Sequence, residues 1–364
     1  MRVTVVGAGI VGCAVAYELA TRGVQVRVVD RRGSGRGATG ASAGILAPHI
    51  EGHSASLLRL GVCSLDEYDN FLQRVGGNTD RPIEYRRTGT LQVARDEDEA
   101  RQLEQLAGTL RARGVSHSLL DARETRGLEP GLGDGIRAGL VIPQHGYVRA
   151  VALIAALVDA GTARGVTMSI GEVRAIAHAH GSIAVTTADE TIAADAVVIA
   201  AGSWSADITM TPAVPPPVRP VRGQLVQLRL AQPSISHIVW GTSAYLVPWQ
   251  DGGVLVGATV EDVGFDERVT VAGVRHLLES GAELVPGLNS AMFEEARAGL
   301  RPGTRDELPI VGPSSTMRGV YYATGHYRNG VLLAPLTAIM AADFLVGGRE
   351  RPEAQLVRPD RFGL

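Results

Sequence analysis

The stretch Val3-Thr4-Val5-Val6-Gly7-Ala8-Gly9-Ile10-Val11-Gly12 decides how this chain is read. A short β-branched run passes straight into three glycines at G-x-G-x-x-G spacing. Cys13 to Arg22 then carries helical spacing at Ala16, Leu19 and Ala20, and Gly23 closes the helix as its C-cap. Val24 to Val29 alternates and turns wholly apolar, as a strand entering a buried parallel sheet does, and Asp30 ends it. Strand, glycine turn, helix, strand is the context that dinucleotide binding needs. Gly7 permits the tight turn, Gly9 lets backbone approach a pyrophosphate, and Gly12 lets helix and strand pack closely. The helix start offers free N–H groups and a positive dipole end, near Ile10 and Val11. Asp30 stands where a carboxylate can bond ribose hydroxyls.

Working outward, a glycine-rich connector from Gly33 to Gly44 leads into a helix over about Ser54–Val75. Thr88–Ala94 reads as a strand, Glu97–Arg113 as a charged amphipathic helix and Tyr147–Arg164 as a further helix. Thr167–Val173, Ile183–Thr187 and Ala196–Ala201 read as strands. Prolines 212, 215, 216, 217 and 220 mark a crossing between domains. Beyond them lie strands at Gln224–Leu230, Ala244–Pro248 and Gly253–Gly257, a helix at Val271–Leu284 and a strand at Ala296–Leu300. Gly319–Ala323 is a final strand, followed by Gly325-His326-Tyr327-Arg328-Asn329-Gly330 and a helix to about Val346. The expected fold is α/β: a discontinuous dinucleotide-binding domain (1–81, 147–220 and 303–364) with an α+β substrate domain (82–146 and 221–302) inserted and built on an antiparallel sheet.

Composition removes several chemistries. All 35 basic residues among the 364 are arginine, so no lysine is present. Pyridoxal-phosphate aldimines, Schiff-base aldolases and P-loop lysines are excluded. Thirty-five basic residues against 38 acidic ones, with no basic block, also argue against nucleic acid as a partner. Cys13 and Cys63 make no disulfide framework and suit a reducing, cytoplasmic compartment. Met1–Ala20 lacks a strongly basic start and reads as structure rather than leader. No uninterrupted apolar run of about 18 residues is evident, so no membrane span is expected.

Two later stretches favour FAD over NAD. Ala196-Val197-Val198-Ile199-Ala200-Ala201-Gly202-Ser203-Trp204 is a buried strand ending in small residues, which let backbone pass close to a cofactor. Gly325 to Leu332 opens another helix with exposed amides, suited to the negative charge that develops at the pyrimidine edge of a reduced flavin. With Ala38-Thr39-Gly40-Ala41-Ser42-Ala43-Gly44-Ile45-Leu46-Ala47-Pro48 and Ala298-Gly299-Leu300-Arg301-Pro302-Gly303-Thr304, these motifs make the chain resemble the D-amino-acid oxidase family of flavoproteins. It looks most like that family's glycine-oxidising bacterial branch, of the thiamin-biosynthesis type. The matching stretches span the whole chain in the family's order.

The resemblance implies a Rossmann-like FAD-binding domain of the glutathione-reductase type and noncovalent FAD. The pyrophosphate would lie near Ile10 and Val11, the ribose at Asp30 and Arg31, and the adenine against the backbone of Val173. Ala38, Thr39, Ala43, Gly44 and Ile45 would run past the pyrophosphate and flavin, Gly202 would pass close by, and His326, Tyr327, Arg328, Asn329, Gly330, Val331 and Leu332 would line the pyrimidine edge. Covalent attachment in sarcosine-oxidase relatives uses a C-terminal cysteine, absent here. Arg301 matches the family's carboxylate-binding arginine, a role that suits its bidentate fork. Arg328 and Tyr245 match further substrate contacts, and Ile45 an apolar wall. A small amino-acid substrate, O₂ as electron acceptor, no membrane partner and a homo-oligomer, tetrameric by resemblance, complete the expectation.

No general base is assigned, His49, His326 and Tyr327 being read as packing or hydrogen-bonding groups. Ser243 stands where a histidine is usual, Ile45 where a methionine is usual, and Gln144–Arg149 lacks the usual acid or proline. Alanine, proline or sarcosine therefore stay open beside glycine. So does a D-amino-acid or imino-acid dehydrogenase with another electron acceptor.

Overall fold

The opening run folds as its alternation requires. Arg2–Val6 lies inside a six-stranded sheet between Ala196–Ile199 and Gln25–Asp30, parallel to both. Val320–Thr324 and Thr167–Ile170 extend it in parallel on the two sides, and Ile310–Pro313 closes one edge antiparallel. Val3, Val5, Val26 and Val28 face a layer of helices, while Val6, Val29, Val197 and Ile199 face a four-stranded sheet. Both faces are covered, which is why these strands run apolar instead of alternating with charge. The computed structural model describes residues 1–51, 54–179, 181–232 and 234–364.

The helices are α1 (Ile10–Thr21), α2 (Pro48–Glu51), α3 (Ala55–Gly76), α4 (Glu97–Ala112), α5 (Ala122–Leu128), α6 (Ala150–Ala163), α7 (Val271–Leu284) and α8 (Gly330–Gly347). Helix α1 is buried from Ile10 to Ala20 and α8 from Val331 to Ala342; both are largely apolar, and the one buried charge of α1, Glu18, pairs with Arg22 and Arg74. They pack on each other, and α3 packs on α8 with a single apolar face. Their burial amends the expectation drawn from apolar runs. Helix α8 has the length and composition to cross a membrane, yet most of it is buried inside the protein.

An eight-stranded sheet forms the second layer, in the order 292–303, 219–229, 253–257, 245–248, 238–240, 90–94, 138–142, 118–121. It is antiparallel except that Ile238–Trp240 runs parallel to Thr90–Ala94. Its two longest strands are Arg219–Arg229 and Met292–Gly303, paired from Arg219 opposite Gly303 to Arg229 opposite Met292. Both exceed the ranges expected from apolar patterning, because charged residues continue the ladder: Arg219 and Arg222 in one strand and Glu295 in the other, with a bulge at Gln227/Leu228. The helix expected over 147–164 starts only at Ala150. Gly146–Val148 is instead a strand, pairing with Ile45–Leu46 and Tyr85–Arg86. Tyr147 and Val148 are apolar and simply prolong the helical pattern of the residues that follow them.

Candidate active site

The glycine turn makes one wall of a cleft of about 410 Å³ that runs between the two large sheets. Gly7 has φ +111°, and a Cβ there would sit 2.3 Å from the Ala200 carbonyl oxygen. A Cβ on Gly12 would sit 2.0 Å from the Gly7 oxygen, so this third glycine serves packing and does not line the cleft. Gly9 does line it; a Cβ there would meet only Thr39 Oγ1, at 3.5 Å. The first ladder bond of α1 runs from Cys13 N–H to the Gly9 oxygen, which leaves the amides before it free for other partners. The Ile10 amide already donates to Thr39 Oγ1 (3.0 Å), so the N–H expected to meet phosphate there is taken.

Asp30 lines the cleft, but its carboxylate is largely engaged. Oδ2 accepts from Ala8 N–H (2.8 Å), and Oδ1 from the Arg32 and Gly33 amides (2.7 and 2.9 Å). It therefore ties the glycine turn to the end of the second strand, with about one of a carboxylate's roughly four acceptor sites left for a ribose. Beside it the Arg31 and Arg32 guanidinium groups lie 4.6 and 4.3 Å from the centre of the Trp204 ring. Arg31 and Val173 border this end of the cleft. Ala38, Thr39, Ala43, Gly44, Ile45 and Gly202 border its course.

At the other end the start of α8 enters. His326, Tyr327, Arg328, Asn329, Gly330 and Val331 all line the cleft. Leu332 does not: its side chain is 3% exposed and belongs to the core between α1, α3 and α8. The first ladder bond of α8 is Leu333 N–H to the Asn329 oxygen (2.8 Å), so the amides of residues 330–332 precede the ladder. His326 is buried and bonds Thr337 Oγ1 through Nε2 (3.0 Å). Burial pushes its pKa down to about 3, so it is neutral and poorly suited to carry a proton at neutral pH. His49 lies away from the cleft, its Nδ1 2.9 Å from His145 Nε2.

Arg301, Arg328, Tyr245 and Ile45 come together at this same end. Arg301 projects from Met292–Gly303 across Gly223, where a Cβ would lie 2.2 Å from the guanidinium. Its Nη1 donates to the carbonyls of Thr259 (3.0 Å) and Arg222 (3.3 Å). Two backbone carbonyls thus aim the fork, and no carboxylate among the described residues pairs with it. Arg328 is exposed at the rim, its guanidinium 4.8 Å from the centre of the Tyr327 ring. Tyr245 packs beside Trp240, and burial pushes its hydroxyl up to about 12, which keeps it a neutral donor.

Several lining residues carry no signal in the sequence, among them Arg36, Trp240 and Glu51. Glu51, the last residue of α2, borders the cleft, and its Oε2 is buried with no hydrogen-bond partner among the described residues. Burial raises its pKa, opposed by the positive charges of Arg328 and Arg301. Nothing in His49-Ile50-Glu51 marks that carboxylate as different from other acidic residues of the chain.

A long cleft floored by glycine, with amides that precede the helix ladders at the starts of α1 and α8 and room where a Gly9 side chain would stand, fits an extended dinucleotide such as FAD. Comparison with known proteins agrees. The family model described as FAD dependent oxidoreductase (DAO) matches residues 2–344. The chain belongs to this family, and FAD is its cofactor. It is 33% identical to glycine oxidase of Geobacillus kaustophilus over 94% of this chain and 92% of that one. The crystal structure of glycine oxidase from that organism superposes with a TM-score of 0.92 at 34% identity, covering 96% of each chain. The bifunctional protein ThiO/ThiG of Synechocystis sp. is 33% identical over 99% of this chain; the chain spans 54% of its length.

Proposed function

We propose that this protein oxidises glycine, or an amino acid of similar size, to the imine, which water hydrolyses to the oxo acid and ammonia. O₂ is the final electron acceptor, giving H₂O₂. The reading also places the enzyme in the cytoplasm as a homo-oligomer, supplying its imine to thiazole formation in thiamin biosynthesis, and keeps the division into a cofactor domain and an inserted substrate domain.

The carrying observation is Arg301, held by two backbone carbonyls in the cofactor cleft with no paired carboxylate among the described residues. A partly buried guanidinium with no paired carboxylate among the described residues calls for an anionic ligand. Tyr245 can donate a second hydrogen bond to the same substrate carboxylate, and Arg328 borders it from the rim. Ile45 supplies the apolar wall that restricts the side chain of the substrate. FAD, when bound, supplies a two-electron acceptor. The protein's part is to fix the carboxylate so that Cα faces that acceptor and to exclude water around it.

The purified holoprotein should be yellow, bleach with glycine under anaerobic conditions, and regain colour in air with release of peroxide. Arg301→Ala should keep its FAD and lose roughly 30-fold or more in kcat/KM, the effect of removing one member of a desolvated charge pair. A yellow protein that no small amino acid reduces would overturn the reading.

A further inference from the structure

An amino-acid substrate carries two charges, and Arg301, Arg328 and Tyr245 answer only one of them. Arg301, Arg328 and Tyr245 present positive charge and a hydroxyl donor, which suit the carboxylate. The α-ammonium needs an acceptor, and it must lose a proton before the nitrogen can form the double bond of an imine. Among the described residues, one cleft carboxylate has a buried oxygen that no protein group satisfies. Glu51 ends α2, borders the same cleft as Arg301, Arg328 and Tyr245, and keeps Oε2 out of water without a donor among the described residues. Leaving such an oxygen unpaired is costly, so its retention asks for a ligand that donates.

The geometry points to Glu51 as the amine-recognising group of the substrate site: its Oε2 accepts a hydrogen bond from the substrate ammonium and then takes its proton. In that step one N–H bond breaks, one O–H bond forms on Oε2, and the electron pair stays on nitrogen. The proposal rests on the amino-acid reading of the cleft. The arrangement matches a zwitterion end for end, with guanidinium groups for its carboxylate and a carboxylate for its ammonium.

The surrounding groups leave Glu51 as the one that changes charge. Tyr245 is pushed up to about 12 and His326 down to about 3, so both stay neutral across the working range. Arg301 and Arg328 stay charged. His49, on the same short helix, turns to His145 and is held below its ordinary value by burial. Burial lifts the Glu51 carboxyl above the usual range, which makes its carboxylate a better proton acceptor than an exposed one.

Glu51→Gln keeps the shape and removes the charge and the proton acceptor. In the FAD-loaded variant, with flavin content checked by visible absorbance, glycine kcat/KM should fall about tenfold or more. Inhibition by acetate, which has the carboxylate but no amine, should stay within about twofold of wild type or tighten. The acid limb of the wild-type kcat/KM profile should disappear, and Glu51→Asp should recover part of the activity. Equal weakening of glycine and acetate would make Glu51 a structural residue and overturn the proposal. So would a variant whose glycine profile matches wild type, with the amino-acid reading left standing. If wild-type protein oxidises no small amino acid, the reading itself fails and takes this proposal with it.

Discussion

At the scale of single residues, the absence of lysine separates two kinds of arginine. Arg2 pairs with Asp195 at the surface (3.1 Å), and both side chains are about half exposed. Such a pair contributes about 0–1 kcal/mol, and an ammonium serves it as well as a guanidinium. Arg301 is different: its Nη1 is fixed by the Thr259 and Arg222 carbonyls while the rest of the fork faces the cleft. Arg2→Lys should leave melting temperature and kcat/KM unchanged. Arg301→Lys should keep the charge but lose the two-point grip, raising KM for glycine about tenfold or more while FAD stays bound. Equal, negligible effects at both positions would remove Arg301 from the carboxylate site. This contrast also shows what was legible beforehand. Arg301 could be picked out because it stands between an apolar strand and Pro302-Gly303. Glu51 could not, because what distinguishes it is an unsatisfied oxygen that only the folded cleft creates. Asp30 was legible in position but not in partners, since its amide donors come from the turn it helps to shape.

Among the elements, α8 carries a proline in its interior and stays a helix. Pro335 has no N–H, so the Val331 carbonyl one turn earlier loses its ladder donor. Helix α3 replaces it: the Tyr68 hydroxyl donates to Val331 O (2.6 Å), and the Ser64 hydroxyl to Leu332 O (2.7 Å). Tyr68 and Ser64 are fully buried, so these bonds are sheltered from water. They hold the first turn of α8, which borders the cleft. Tyr68→Phe should therefore cost about 1–3 kcal/mol by orphaning the Val331 carbonyl. Pro335→Ala restores an N–H that can reach the same oxygen, so the double variant should recover most of that loss. Urea denaturation of the two single variants and the double variant tests the coupling; additive losses would show that the two residues act independently. The apolar run of α8 and its glycine-rich start were readable from sequence. The bonds from α3 were not, being contacts between segments about 260 residues apart. The same limit applies to Gly146–Val148, whose strand character comes from pairing with two distant short strands.

For the whole molecule, two buried histidines predict how stability follows pH. His145 is fully buried between Thr90 Oγ1 (2.8 Å) and His49 Nδ1 (2.9 Å), and burial, with the His49 and Arg87 charges, holds it well below its ordinary value. His326 sits at the start of α8 with its pKa pushed down to about 3 by burial. One lies beside the eight-stranded sheet and the other beside the six-stranded sheet, so the two halves of the fold carry the same liability. In the unfolded chain each histidine takes up a proton near pH 6.5, whereas in the folded protein it stays neutral. Below that pH the unfolded state binds more protons, and stability must fall as pH falls. The sign is opposite to that of a histidine gaining an acidic partner. Each residue adds a slope approaching about 1.4 kcal/mol per pH unit below roughly pH 6, and His326 continues to do so down towards its folded pKa. Carboxylates held low by arginine, such as Asp266, act only in the more acidic range, below about pH 4. Urea midpoints measured with FAD in excess should be level from pH 8 to 7 and drop steadily from 6 to 5, with cofactor binding held constant across the series. His326→Gln can keep a hydrogen bond to Thr337 and cannot titrate, so its drop should be clearly shallower, with His145 and His49 supplying the remainder. An unchanged slope in that variant would mean that His326 is already protonated in the folded protein, and with it would go the neutral start of α8 on which the reading of this end of the cleft depends.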